Sequence, residues 1–367
     1  MVYIVMLIIG LAVLGFFRAR IVYRGNEVKY AKIFLVMLPF LVVSAGRYMV
    51  GRDYLPYTVS YYDFGNGSVG REWEILGTAV IQIARMFQTR HLIIVLYAVL
   101  FCVITFMYIE DQSINKGFSL LLLVLSGTYF ESLTMMRQSV STAIFIYVSK
   151  YAFEKQYKKF VFGIIIASFF HKTALVYMAV FLIFILLNKL LEKHEKKIKL
   201  VCLVLLASST VYTVFLRNII YAFALKFKFY YRAFQSVYDH GNYSISLLLA
   251  AVPIFLVMSL AEIYARERTE TENRKMSMYY LVCFLGAWSA VLLPIIPNGE
   301  RIVHLFTPLE IVSLPYVIRH IGWRKKALGK IVRFFCTLAV VLCLTVTTYH
   351  YYYANNTVDV FPYQFIW

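Results

Sequence analysis

The residues of this chain best suited to chemistry are arginines, and they fall in short motifs between apolar runs. The densest is Arg47-Tyr48-Met49-Val50-Gly51-Arg52-Asp53-Tyr54-Leu55-Pro56-Tyr57. A guanidinium presents a planar fork of donors that matches phosphate or carboxylate oxygens two at a time. Two arginines flanking Asp53 would hold its carboxylate ionised. Gly51 permits a tight turn and Pro56 is expected to stop any helix. Tyr54 and Tyr57, followed by Tyr61 and Tyr62, add flat amphipathic rings that suit sugar faces and a membrane interface alike. Taken as chemistry, the motif is an anion grip with a carboxylate at its centre. Taken as structure, it is an ion-paired loop in an aromatic belt.

Four later motifs repeat the theme. Met136-Arg137-Gln138 places a guanidinium at the start of an apolar run, where it needs a partner, either a substrate anion or an acid such as Glu131. Phe170-His171-Lys172-Thr173-Ala174 puts a histidine between two apolar runs, suited to proton transfer, to donating to phosphate, or to capping a helix. The segment 217–244 interleaves Lys226, Lys228 and Arg232 with Tyr230, Tyr231, Tyr238 and Tyr243, a mixture that fits glycan and pyrophosphate. Its Asp239-His240 is an acid/base pair or two solvated neighbours. Pro297-Asn298-Gly299-Glu300-Arg301 is a polar turn ending on a fifth candidate arginine. The five cysteines all lie inside apolar runs without metal-ligand spacing, and no Walker, GxSxG or HExxH motif occurs. No metal and no cofactor is therefore expected.

The elements that must position these groups are membrane helices. Hydrophobic residues make up 61% of the 367, charged residues 15%, and mean hydropathy is +0.70. A soluble chain of this length needs far more polar surface. Apolar runs at 2–17, 31–46, 92–109, 117–131, 135–152, 157–170, 172–189, 199–216, 245–264, 278–296, 301–319 and 332–350 predict an all-α polytopic protein of about twelve transmembrane helices. They form one integral membrane domain over 1–367. The runs 117–131 and 157–170 are short for a bilayer core of about 30 Å, so tilted or broken helices are expected there.

The net charge of +18 is spread as basic clusters between spans, which marks topology and anionic headgroups rather than nucleic acid. Most of the 37 basic residues fall on one side if the first span, which lacks a basic leader, begins outside; both termini are then non-cytoplasmic. The loops 47–91 and 217–244 become the external, substrate-facing elements. Within the first, Glu74, Thr78, Gln82 and Arg85 form a polar stripe opposite Ile75, Leu76, Ile83 and Phe87, predicting an interfacial helix near 72–88. External positive charge is what the topology rule disfavours, yet arginines concentrate there, which points to an anionic substrate bound from outside.

In their order and shared external side, the motifs Arg47…Gly51-x-Asp53-Tyr54-x-x-Tyr57, Arg137-Gln138, Phe170-His171-x-Thr173-Ala174 and Asn298-x-x-Arg301 resemble those of EpsG-type proteins, a Wzy-like group of bacterial exopolysaccharide polymerases. Arg52 stands where a small polar residue is expected. The resemblance implies a Wzy-like, GT-C-like architecture in the bacterial inner membrane. It implies a polyprenyl-pyrophosphate-linked oligosaccharide as donor, and a second lipid-linked repeat unit as acceptor. A flippase and a chain-length regulator of the same pathway would be partners, and nucleic acid would not. Arg47, Arg52, Arg137, Arg232 and Arg301 would then grip the pyrophosphate, and Asp53 or His171 would take the acceptor's proton. Tyr54 and Tyr57 would meet the sugars. A flippase of lipid-linked glycan, or a ligase with a different acceptor, is the alternative.

Overall fold

The apolar runs are helical in the computed structural model, which describes residues 1–20, 25–64, 73–227, 244–263, 269–295, 299–321 and 326–366. No strand occurs among these residues, and Arg47 and Phe365 form an isolated antiparallel bridge. The chain divides into two compact units, Met1–Ala179 with Tyr352–Trp367, and Val180–Tyr351.

The first unit contains α1 (Val2–Arg20), α2 (Gly25–Ala45), α3 (Tyr54–Asp63), α4 (Ile75–Met86), α5 (Leu92–Gln112), α6 (Lys116–Leu125), α7 (Thr128–Thr134), α8 (Met136–Phe153) and α9 (Tyr157–Phe170). Helices α1, α2, α5, α8 and α9 pack successively against one another. The α8–α9 contact is close at Gly163, where an added Cβ would sit 2.6 Å from Val148. Around this core Ile4, Ile8, Phe34, Val42 and Phe162 are exposed, an apolar shell suited to lipid. The short run at 117–131 is broken, as expected: α6 and α7 meet at 50°. Gly127 makes the bend with φ of 78°, and the ring of Tyr352 fills the space where a side chain would be.

The polar ends of these helices segregate. At one end Lys32 and Lys116 bind Glu110 at 2.7 and 2.6 Å, and Lys29 and Lys150 bind Asp111 at 3.1 and 3.2 Å, tying α2, α5, α6 and α8 together. At the other end lie the start of α1, the end of α2, the start of α5 and the α7–α8 junction. The tail after Tyr352 is laid across them. Tyr3 donates to the Val360 carbonyl (2.9 Å), Tyr363 to Val43 (2.7 Å), and the amides of Tyr48, Gly51 and Arg52 to Gln364, Asp359 and Val358. The motif at 47–57 is thus anchored by residues some three hundred positions away.

One expectation is corrected here. Pro56 does not stop a helix; it sits in the first turn of α3, where its missing N–H has no intrahelical partner to lose. The amphipathic helix expected near 72–88 forms at Ile75–Met86; it packs through Gly77, Val80, Ile81 and Ala84, while Ile75, Ile83 and Phe87 of the expected apolar face are exposed.

The second unit holds most of α10 (Val176–Phe227), then α11 (Ile245–Ile263), α12 (Glu270–Val291), α13 (Gly299–Phe306), α14 (Glu310–His320) and α15 (Lys326–Thr347). Helix α12 starts in a reciprocal cap between Thr269 and Glu272. A 3-10 turn at Thr307–Leu309 separates α13 from α14, and Glu310 follows it, 1% exposed with one carboxylate oxygen lacking a hydrogen-bond partner among the described residues. The turn expected at 189–199 is absent, because α10 runs through it. That stretch carries no glycine or proline and is rich in Lys, Glu and Leu, all good helix formers. Its charges mark polarity, not a break. Twelve full spans are accordingly not seen. Among the described residues Leu92–Gln112, Gly299–His320 and Leu328–Ala354 are long and apolar enough to cross a membrane, and a fourth if the bent α6–α7 pair counts as one.

Candidate active site around Arg137

Arg137 stands at the first turn of α8, its side chain 13% exposed, and three elements converge on it. Its Nη1 donates to Glu74 Oε2 at 2.5 Å from the residue just before α4. The Tyr57 hydroxyl on α3 accepts from the Arg137 amide (3.1 Å) and Nε (3.4 Å). The guanidinium carbon lies 4.2 Å from the Trp73 ring centroid, a cation–π stack. Burial raises the Tyr57 phenol, with Arg137 pulling it back. The acid that pairs with Arg137 is therefore Glu74, not Glu131, which accepts from the Tyr352 hydroxyl at 2.9 Å.

Glu74 also links Arg137 to the histidine motif, since its Oε1 accepts from the Lys172 amide at 3.1 Å. His171 ends α9 in an extended conformation, with Nδ1 accepting from the Thr173 amide (3.3 Å) and paired with its hydroxyl (2.8 Å). An Nδ1 that accepts an amide proton leaves a neutral ring's proton on Nε2. Close approach of α4 depends on Gly77: a Cβ there would lie 3.2 Å from Trp73, 3.4 Å from Arg137 Cδ and 3.6 Å from the Tyr97 hydroxyl. That hydroxyl belongs to a residue 1% exposed and has no hydrogen-bond partner among the described residues.

Arg47 is placed differently from the expectation of an outward fork. It is 1% exposed, and it donates to the Ser44 carbonyl (2.6 Å), the Leu133 carbonyl (3.1 Å) and Met136 Sδ (2.9 Å), with Nε lacking a partner among the described residues. Among the described residues no carboxylate pairs with it, and burial lowers its proton affinity. Arg52, 54% exposed, turns to the tail, bonding the Thr357 carbonyl and lying 3.9 Å from Asp359. Asp53 is thus not held between the two arginines. It occupies the N-cap position of α3, half-buried, without a side-chain cap bond. Tyr54 and Tyr57 are 5% and 4% exposed, so the open rings of this region are Tyr48 at 40% and Tyr62 at 51%. The Tyr54 hydroxyl meets His91 Nδ1 at 3.3 Å, while His91 Nε2 donates to the Ala45 carbonyl at 2.7 Å.

The first unit so brings together Arg47, Arg52, Asp53, Tyr54, Tyr57, Arg137 and His171 on one rim. Arg301 is exposed on α13 in the second unit, and Arg232 and Asp239-His240 lie outside the described residues. Sequence reasoning missed Glu74 as a site residue, together with Trp73 and His91. The signal for Glu74 was there: an acid heading an amphipathic helix on the arginine-rich side.

Fold and site together define a helical membrane protein with arginine, carboxylate and histidine gathered where its helices end. The chain belongs to the EpsG family, whose sequence profile matches residues 30–365. No curated protein and no solved structure matches it.

Proposed function

We propose that this protein polymerises a polysaccharide at the outer face of the bacterial inner membrane, moving a glycan from polyprenyl pyrophosphate onto a sugar hydroxyl of another lipid-linked repeat unit. Family membership supports the polymerase-type role. The observation that carries the finer reading is Arg137, desolvated, stacked on Trp73 and in contact with the His171–Lys172 turn through Glu74. A guanidinium fixed in this way stabilises charge as it develops on a leaving pyrophosphate, where prearranged donors lower a barrier most. The acceptor oxygen bonds to the anomeric carbon, the carbon–oxygen bond to phosphate breaks, and the acceptor's proton passes to a carboxylate of the rim. His171, with its ring proton on Nε2, serves as a donor to phosphate.

The test is Arg137→Lys in cells at wild-type protein level. Lysine keeps the charge but loses the fork, and a hydrogen bond to a charged group is worth about 1.5–3 kcal/mol, roughly 10- to 100-fold in rate. Polymer should shorten or vanish accordingly; chains of unchanged length would remove Arg137 from the reaction.

A further inference from the structure

We propose that Glu74 is the internal occupant of the anion seat on Arg137, and that it takes the acceptor's proton once the donor's pyrophosphate claims that seat. The inference rests on the polymerase reading for its second half only. Both carboxylate oxygens of Glu74 are engaged as a phosphate's would be, one by Arg137 Nη1 at 2.5 Å and one by the Lys172 amide at 3.1 Å. Beside Gly77 of α4, the Tyr97 hydroxyl lies 3.6 Å from the Cβ position, buried and without a hydrogen-bond partner among the described residues, and Tyr57 bonds Arg137. A pyrophosphate offers more acceptor oxygens and more charge than a carboxylate, so it displaces Glu74 rather than joining it. Glu74 lies at the mouth of α4, one residue before the helix begins, so its side chain can swing while Gly77 keeps α4 on α5 and α8.

Once displaced, Glu74 stands beside the pyrophosphate without its cation. A carboxylate has about four lone-pair sites, and those given up by Arg137 and Lys172 are free to accept from the acceptor's hydroxyl. That oxygen then bonds to the anomeric carbon, its proton moves to Glu74, and the electron pair of the breaking carbon–oxygen bond leaves on the pyrophosphate, held by Arg137. Glu74 is better placed for this than Asp53, because it is bonded to the turn that follows His171. Activation of the acceptor thereby waits for the donor.

The experiment uses the purified full chain and the isosteric variants Glu74→Gln and Asp53→Asn, each checked for folding by its elution in detergent. Binding of inorganic pyrophosphate is titrated first. If the charged carboxylate leaves the seat open about a tenth of the time, neutralising it tightens apparent binding up to about tenfold in Glu74→Gln and leaves Asp53→Asn unchanged. Equal affinity in Glu74→Gln and wild type overturns the seat. Chain extension is then followed on lipid-linked repeat units from cells lacking this protein, with kcat expected to fall about 100-fold or more in Glu74→Gln while KM for donor does not rise. Turnover at wild-type level in Glu74→Gln, or the full loss in Asp53→Asn alone, overturns the proton role. Tighter pyrophosphate binding with no extension by the wild type would refute the polymerase reading and the proton role together and leave the seat standing.

Discussion

Replacing Arg47 by lysine separates a residue that holds the rim together from one that meets substrate. In the structure one guanidinium serves two backbone carbonyls, Ser44 at 2.6 Å and Leu133 at 3.1 Å, from a position 1% exposed to solvent. A lysine ammonium is a single point, so it satisfies one carbonyl and leaves the other orphaned, at a cost of about 1–3 kcal/mol. Loss of the packing that the guanidinium plane provides against Met136 brings the sum to about 2–4 kcal/mol. For a domain of 150–250 residues each kcal/mol lowers the melting temperature by about 2–4 °C, so a fall of roughly 4–16 °C is expected. The assay is thermal unfolding of the detergent-solubilised protein, read by the loss of the monodisperse peak after stepwise heating. Polymer length in cells is then compared at matched protein level. Arg47→Lys should melt early, and the fraction that stays folded should still make polymer. A variant that melts with the wild type yet makes none would show that Arg47 grips substrate directly and would refute its structural role.

Three further outcomes follow from the same rim. Gly51→Ala should destabilise by more than about 2 kcal/mol in the same unfolding assay, because Gly51 has φ of 96° and an added Cβ would collide with the Leu133 carbonyl. The His91 imidazole is held below its ordinary value of 6.5, chiefly by burial, with the charges of Arg47 and Arg90 adding to it against the Ala45 hydrogen bond. The unfolded chain therefore takes up this proton more readily, so the stability is complete above about pH 6.5 and is lost as pH falls through the lower folded value. His91→Gln, which keeps a donor for Ala45, should flatten the melting temperature between about pH 7.5 and 5. Trp73→Leu should cut polymer output severalfold without changing protein level, since a cation–π contact is worth about 0.5–2 kcal/mol; wild-type output would mean that the stack does not orient Arg137.

Much of this architecture is legible in the sequence, and the illegible parts have physical causes. Apolar runs found the helices because a membrane span advertises itself by composition alone. The shortness of 117–131 announced the break that Gly127 makes. The motifs at Arg137 and His171 were recognised by residue type, and the structure joins them through Glu74. What the sequence did not disclose is pairing at a distance: Glu74 with Arg137, or the tail with Arg52 and Tyr48, since no local pattern records which partner a charge will find. Arg47 misled for a related reason. A charged residue at a span exit reads as exposed, yet carbonyls left free at the ends of α2 and α7 can satisfy a guanidinium inside the protein. At 189–199 two rules competed, since lysines and glutamates signal a loop by charge and a helix by propensity; propensity prevailed.

The measurement that tests the central claim most directly is extension by the purified protein in liposomes supplied with polyprenyl-pyrophosphate-linked repeat units on the outer face. A ladder of polymer lengths is expected, with one polyprenyl pyrophosphate freed for every linkage formed, and its loss when Arg137 is changed to lysine. Repeat units that cross the membrane or pass to another acceptor without lengthening would contradict it.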